Sequence, residues 1–169
     1  TFTIMYLASG TWRMMGTRSF RVHSCSISSQ ELGRLSTIRR EKATGLTINP
    51  FFASDYSGVI EGMRFGKVQM AWYGNKSAME AVDRADGEVF VQSVAAGGEP
   101  GYWSLILVPA DSPIQSVDDL LTCDQSLNFG LGDPNSTSGY LVPMTFLFGA
   151  KGIDPKECFK NVTNANHQT

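Results

Sequence analysis

From Lys42 onward the chain reads as an α/β protein with a mainly parallel sheet. Short apolar runs of strand length alternate with amphipathic stretches of helical period. Gly, Pro, Asn and Asp punctuate the junctions between them. The 169 residues are 42% hydrophobic, 11% aromatic and 18% charged, which suits an ordinary globular domain. That composition excludes intrinsic disorder, collagen-like repeats and coiled coils.

GLTINPFFA (Gly45–Ala53) predicts a strand, and SDYSGVIEGMRFGK a helix capped by Ser54 or Asp55, with Val59, Ile60, Met63 and Phe65 on its apolar side. VQMAWYG (Val68–Gly74) is a strand ending in glycine. Ser77–Ala85 predicts a short helix with Ser77 as N-cap and Glu80 closing a capping box. Val89–Ala96 and Tyr102–Pro109 read as strands separated by the turn-rich GGEPG. Ser116–Thr122 is a short helix and Leu127–Gly130 a strand. TSGYLVPMTFLFGAKG is a helix with Pro143 inside its first turns. No internal repeat or low-complexity tract appears.

Charge divides the chain unevenly. Residues 1–40 hold six of the eight arginines and one acid, Glu31, for a net +5, whereas residues 41–169 carry −7. This Ser-rich, acid-poor leader has the superficial look of a transit peptide or of a basic arm for an anionic surface. The simplest expectation is a stretch foreign to the fold, from an out-of-frame or misassembled start. The overall charge of −2 and pI near 5.6 offer nucleic acid no broad basic face. No apolar run reaches the ~18 residues of a membrane span. Cys25, Cys123 and Cys158 lack metal-ligand spacing, which leaves one disulfide open with a thiol left over.

The chemistry concentrates at GDPNSTSG (Gly132–Gly139). A strand, a tight turn and a helix start there gather the hydroxyls of Ser136, Thr137 and Ser138 with first-turn amides. Such a helix start attracts anions through its dipole and its outward donors. Gly139 lets the backbone approach a ligand. The Walker pattern GxxxxGK[ST] is absent, so neutral donors would hold the anion. Tyr56, Tyr73 and Tyr102 with Trp103 stand at the ends of predicted elements, where open α/β sheets bind ligands. GxSxG, HExxH and GxGxxG are all missing, and Asp118 and Asp119 read as a solvated face. Nothing in the sequence demands catalysis, a metal or a cofactor.

The run FFASDYSGVIEGMRFGKVQMAWYGNKSAMEAVDRADGEVFVQSVAAGGEPGYWSLILV, followed by DSPIQSVDDLL and NFGLGDPNSTSGYLVP, resembles the periplasmic phosphonate-binding proteins of ABC transporters, from about Glu41 to Thr169. The resemblance implies a type II two-lobe fold that closes on its ligand. This chain would be incomplete at both ends: a leader over 1–40, a first lobe over 41–108 without its opening strand, and a truncated second lobe over 109–169. It assigns phosphonate oxygens to Ser136, Thr137 and Ser138, and implicates Tyr56, Tyr102 and His167, the last in NANHQT. Trp72 and Tyr73 are carried as pocket-wall candidates. The implied function is capture of a phosphonate, for example an aminoalkylphosphonate, for a membrane permease. Phosphate or phosphite binding is the nearest alternative, and a phosphate-ester enzyme using the Ser-Thr-Ser loop is one of another class. Periplasmic placement follows from the resemblance alone, since no signal peptide is visible.

Overall fold

A computed structural model describes residues 3–7, 19–23, 38–94 and 96–165. The chain divides into two compact units between Gly101 and Tyr102, whereas the sequence reading placed the lobe boundary after Val108.

The first unit is built on a five-stranded sheet in the order β3-β2-β4-β1-β5. Its strands are β1 (Thr3–Leu7), β2 (Ser19–His23), β3 (Thr47–Phe51), β4 (Met70–Tyr73) and β5 (Gly87–Gln92). Strand β2 runs parallel to both β3 and β4, while β1 is antiparallel to both β4 and β5. The sheet is therefore mixed rather than mainly parallel. The two strands that alternation of motifs could not supply, β1 and β2, come from the leader and take interior places in the order. At the leader's end a helix over residues 38–44, α1, brings the Arg40 guanidinium 4.3 Å from the centre of the Trp72 ring, a cation–π contact.

Helix α2 (Tyr56–Arg64) starts where Asp55 Oδ1 accepts the Gly58 amide at 2.7 Å. It buries Val59, Ile60 and Met63. Phe65, expected on that apolar side, is instead the C-cap and is exposed. Helix α3 (Asn75–Ala85) begins two residues before the predicted cap. Extended Gly74 takes the N-cap position, so the Ser77 and Glu80 capping box does not form. The buried Ser77 hydroxyl donates back to the Gly74 carbonyl at 3.1 Å, and Glu80 pairs with Arg84 instead. Ala78, Ala81 and Ala85, all buried, let α3 lie close against the α2 core.

The second unit centres on the parallel pair β6 (Asn128–Leu131) and β7 (Asn161–Asn164). Helix α4 (Val117–Leu120) opens with a full capping box: Ser116 Oγ accepts the Asp119 amide and Asp119 returns to the Ser116 amide. The Ser116 hydroxyl and the Gln115 amide hold the Asp119 carboxyl below its ordinary range. Asp119 is thus a cap and Asp118 an ion-pair partner of Lys151 at 3.1 Å, both on the exposed surface. The long helix α5 runs through Thr137–Leu141 and Pro143–Gly149 with i→i+5 winding. A short helix α6 (Pro155–Cys158), capped by Asp154, leads into β7. Phe129 from β6, Phe148 from α5 and Phe159 after α6 form the centre of the core, with ring centroids 4.7–6.0 Å apart. Cys123 and Cys158 form a disulfide that closes a span of 35 residues.

Residues 102–109, predicted as a strand, join no ladder among the described residues. Their exposure still alternates, with Trp103 86%, Leu105 75% and Leu107 87% exposed, against lower values for Tyr102, Ile106 and Val108. The period-2 pattern that marks a strand is present; the neighbouring edge is not. No described helix is long and apolar enough to cross a membrane.

Candidate functional site

The turn between β6 and α5 is specified by short polar side chains and two glycines. Asp133, buried, accepts the Asn135 amide on Oδ1 at 2.7 Å, and its own carbonyl accepts the Ser136 amide at 2.7 Å. This is an Asx turn of the kind that Asp-Pro-Asn favours. It delivers Ser136 in extended conformation to the N-cap of α5. Ser136 is 4% exposed, and its Oγ accepts the Gly139 amide at 3.1 Å. A hydroxyl that accepts in this way keeps its own proton to donate. Ser136 therefore retains an O–H able to donate, while the Gly139 amide is already spent on the cap. Thr137 and Ser138 follow on the first turn, both half-buried.

Three contacts clamp this turn. The Gly132 amide donates to the Gly139 carbonyl at 2.7 Å, the Asn164 side-chain amide to the Gly132 carbonyl at 2.8 Å, and the Ser104 hydroxyl to the Ser138 carbonyl at 2.7 Å. The two glycines touch: a Cβ on Gly132 would stand 2.9 Å from the Gly139 Cα, and one on Gly139 would stand 3.1 Å from both the Gly132 Cα and Ser136 Oγ. Since the obstacle to a Gly132 side chain is backbone, alanine there must spread the turn. Gly132→Ala is expected to destabilise the second unit by about 1–3 kcal/mol, read from denaturant unfolding. An unchanged midpoint would show that the turn yields without strain.

No Lys or Arg occurs between Gln125 and Ala150, and Asp133 is the only acid there. The donors at the α5 start are all neutral, and long-range attraction for an anion is absent from this stretch. A cavity of about 280 Å³ reaches the turn through Gly132, Ser138 and Gly139 and is otherwise walled by residues 104–107, β6 and Pro143. Among the described residues no group of His, Cys, Asp and Glu is placed to hold a metal ion.

The other expected site residues are dispersed. Tyr56 is 5% exposed in the core of the first unit, its ring 6.3 Å from that of Tyr73 at a tilt of 40°. Tyr73 is fully buried at the end of β4. Trp72 lies under Arg40, with its indole N–H 3.5 Å from Ser93 Oγ. Tyr102 belongs to the second unit and is half-exposed at the head of the 102–109 segment. His167 lies outside the described residues. Sequence reading overlooked Ser104, Asp133 and Asn164; the Asp-Pro-Asn turn signal pointed to the second of these, and nothing local pointed to the other two.

Comparisons with known proteins place this two-unit α/β chain in the class of solute-binding proteins. The family profile described as ABC transporter, phosphonate, periplasmic substrate-binding protein matches residues 41–169, and the chain is a member of that family. It is 57% identical over 129 residues, 76% of its length, to the "Phosphonates-binding periplasmic protein" of Escherichia coli K12, of which those residues cover 38%. It is 37% identical over 106 residues to the "Phosphate-import protein PhnD" of Mycolicibacterium smegmatis, covering 61% of this chain and 32% of that one. Among solved structures, the binding-protein component of an ABC phosphonate transporter from Pseudomonas aeruginosa superimposes with a TM-score of 0.82 at 47% identity, over 90% of this chain and 52% of that one. PhnD1 from Prochlorococcus marinus, solved with methylphosphonate, shares the fold at a TM-score of 0.60 and 17% identity, over 89% and 57% of the two chains. The fold is that of the type II two-lobe binding proteins, of which this chain spans a part. The family consists of substrate-binding proteins and not of enzymes, which sets aside the phosphate-ester alternative.

Proposed function

We propose that this chain supplies the anion-binding turn of a phosphonate-capturing protein, working outside the inner membrane with an ABC permease. The observation that carries the reading is the clamped start of α5, where Ser136, Thr137 and Ser138 succeed one another at the N-cap and first turn in a stretch free of Lys and Arg. The phosphonate oxygens accept hydrogen bonds from these hydroxyls and from first-turn amides that the cap does not take. The family resemblance suggests Tyr56, Tyr102 and His167 as further contacts; of these, Tyr102 lies in the same unit as Ser136–Ser138, and Tyr56 is buried in the core of the first unit. The 57% identity to a protein named for phosphonate binding supports the ligand class. The Cys123–Cys158 disulfide suits an oxidising compartment such as the periplasm. Phosphate is the second reading, favoured by the 37% identity to a protein named for phosphate import.

Charge-assisted hydrogen bonds are worth about 1.5–3 kcal/mol each, so the loss of a single donor is large enough to measure. Thr137→Ala is expected to weaken binding by ~1–3 kcal/mol, because an oxygen of the bound anion loses its donor. Raising ionic strength to physiological levels should alter affinity little, since the donors are neutral and no Lys or Arg lies in this stretch to be screened. Calorimetric titration with 2-aminoethylphosphonate, methylphosphonate and phosphate tests all of this. Normal binding by Thr137→Ala, or affinity that collapses with modest salt, would move the anion elsewhere. Tighter binding of phosphate than of either phosphonate would decide for the second reading.

A further inference from the structure

The winding of α5 leaves one first-turn carbonyl without a helical donor. In its first turn the Leu141 amide reaches the Ser136 carbonyl and the Val142 amide the Thr137 carbonyl, both five residues back. Continuing that register, the Ser138 carbonyl would take the amide of residue 143. Residue 143 is proline and has no N–H. The tighter i→i+4 alternative would need the Val142 amide, already given to Thr137. A half-buried carbonyl in this position needs a donor from outside the helix.

Ser104 provides it. Its hydroxyl, half-buried in the extended 102–109 segment, donates to the Ser138 carbonyl at 2.7 Å across 34 residues of chain. The bond fixes the peptide that follows the Ser138 side chain, and with it the orientation of the hydroxyl cluster.

We propose that Ser104 is a positioning residue of the anion site, standing in for the amide that Pro143 cannot supply. The proposal rests on the reading that phosphonate binds at Ser136–Ser138. The test titrates methylphosphonate into the wild-type chain and into Ser104→Ala, Ser104→Thr, Pro143→Ala and the Ser104→Ala/Pro143→Ala double variant, with thermal midpoints for each. Ser104→Ala is expected to weaken binding about tenfold, as loss of a buried carbonyl's donor implies. Ser104→Thr keeps the hydroxyl and should recover most of the affinity. In the Pro143→Ala background the restored amide reaches the Ser138 carbonyl, so Ser104→Ala should cost clearly less there. Ser104→Ala that melts earlier yet binds as wild type overturns the positioning role and leaves a packing role. An equal loss from Ser104→Ala with and without Pro143 overturns the stand-in argument. A wild-type chain that takes up no methylphosphonate overturns the underlying reading instead, and the positioning role falls with it.

Discussion

Truncating Phe148 to alanine is expected to destabilise the second unit by about 3–5 kcal/mol, the range for a fully buried phenylalanine. Phe148 is 0% exposed and packs edge-on against both Phe129 and Phe159, which stack on each other at 4.7 Å. The three rings come from α5, β6 and the residue after α6, so removing Phe148 takes a shared partner from the other two. A whole domain holds only about 5–15 kcal/mol of net stability, and a unit of this size stands at the lower end. The variant should therefore lose most of its near-ultraviolet circular dichroism at 25 °C. Phe146→Ala is the matched control on the same helix. Phe146 is 72% exposed, and its truncation should change stability by no more than about 0.5 kcal/mol. A midpoint for Phe148→Ala within a few degrees of wild type would show that the aromatic cluster is not the core of this unit. Because Ser136–Ser138 sit at the other end of the same helix, anion binding should fail together with the packing.

The local signals in this sequence proved more legible than the long-range ones. Asp55 caps the helix it precedes because a short acceptor next to an apolar period is decided within four residues. The α5 start at Ser136 was legible for the same reason, since a strand, an Asx turn and a hydroxyl run lie in one stretch. Sheet polarity was not. Whether β1 pairs parallel or antiparallel with β4 depends on strands nearly seventy residues apart, and no local pattern carries that information. Ser77 illustrates a competition decided by backbone: Gly74 reaches the extended N-cap conformation, so the helix begins earlier and the serine turns inward. Residues 102–109 have the side-chain period of a strand but no ladder among the described residues, since period reports burial and not hydrogen bonding. Helix α6 and strand β7, at four residues each, are too short for a period to show. The partnership of Ser104 with Ser138 depends on i→i+5 winding, which the sequence expresses only through a proline at 143.

Removing the Cys123–Cys158 bond should cost nearly as much as losing Phe148. A cross-link restricts the unfolded chain, and for a closed loop of 35 residues loop-closure entropy corresponds to about 4 kcal/mol at 25 °C. The effect extends to the anion site through β7. Cys158 ends α6 and β7 begins at Asn161, pairing with β6 from Asn128 to Leu131. Beyond the pair, the Ala165 amide donates to the Leu131 carbonyl at 2.7 Å and the Asn164 side chain to the Gly132 carbonyl at 2.8 Å. Those last two bonds hold the glycine that presses on Gly139. Opening the disulfide frees the approach to β7 and loosens the clamp behind Ser136–Ser138. For a unit of this size the stability change corresponds to a fall in melting midpoint of about 15 °C or more. The clean comparison is Cys123→Ser/Cys158→Ser against the parent, both in a Cys25→Ser background so that no third thiol can exchange. Adding a reductant should lower the parent's midpoint to that of the double variant and leave the variant unchanged. Phosphonate affinity should fall in the same samples at temperatures where the variant is still folded. Equal midpoints for parent and variant, in the presence and absence of reductant, would show that the bond adds nothing to this fold. A lower midpoint with unchanged affinity would separate the clamp on Gly132 from the anion site.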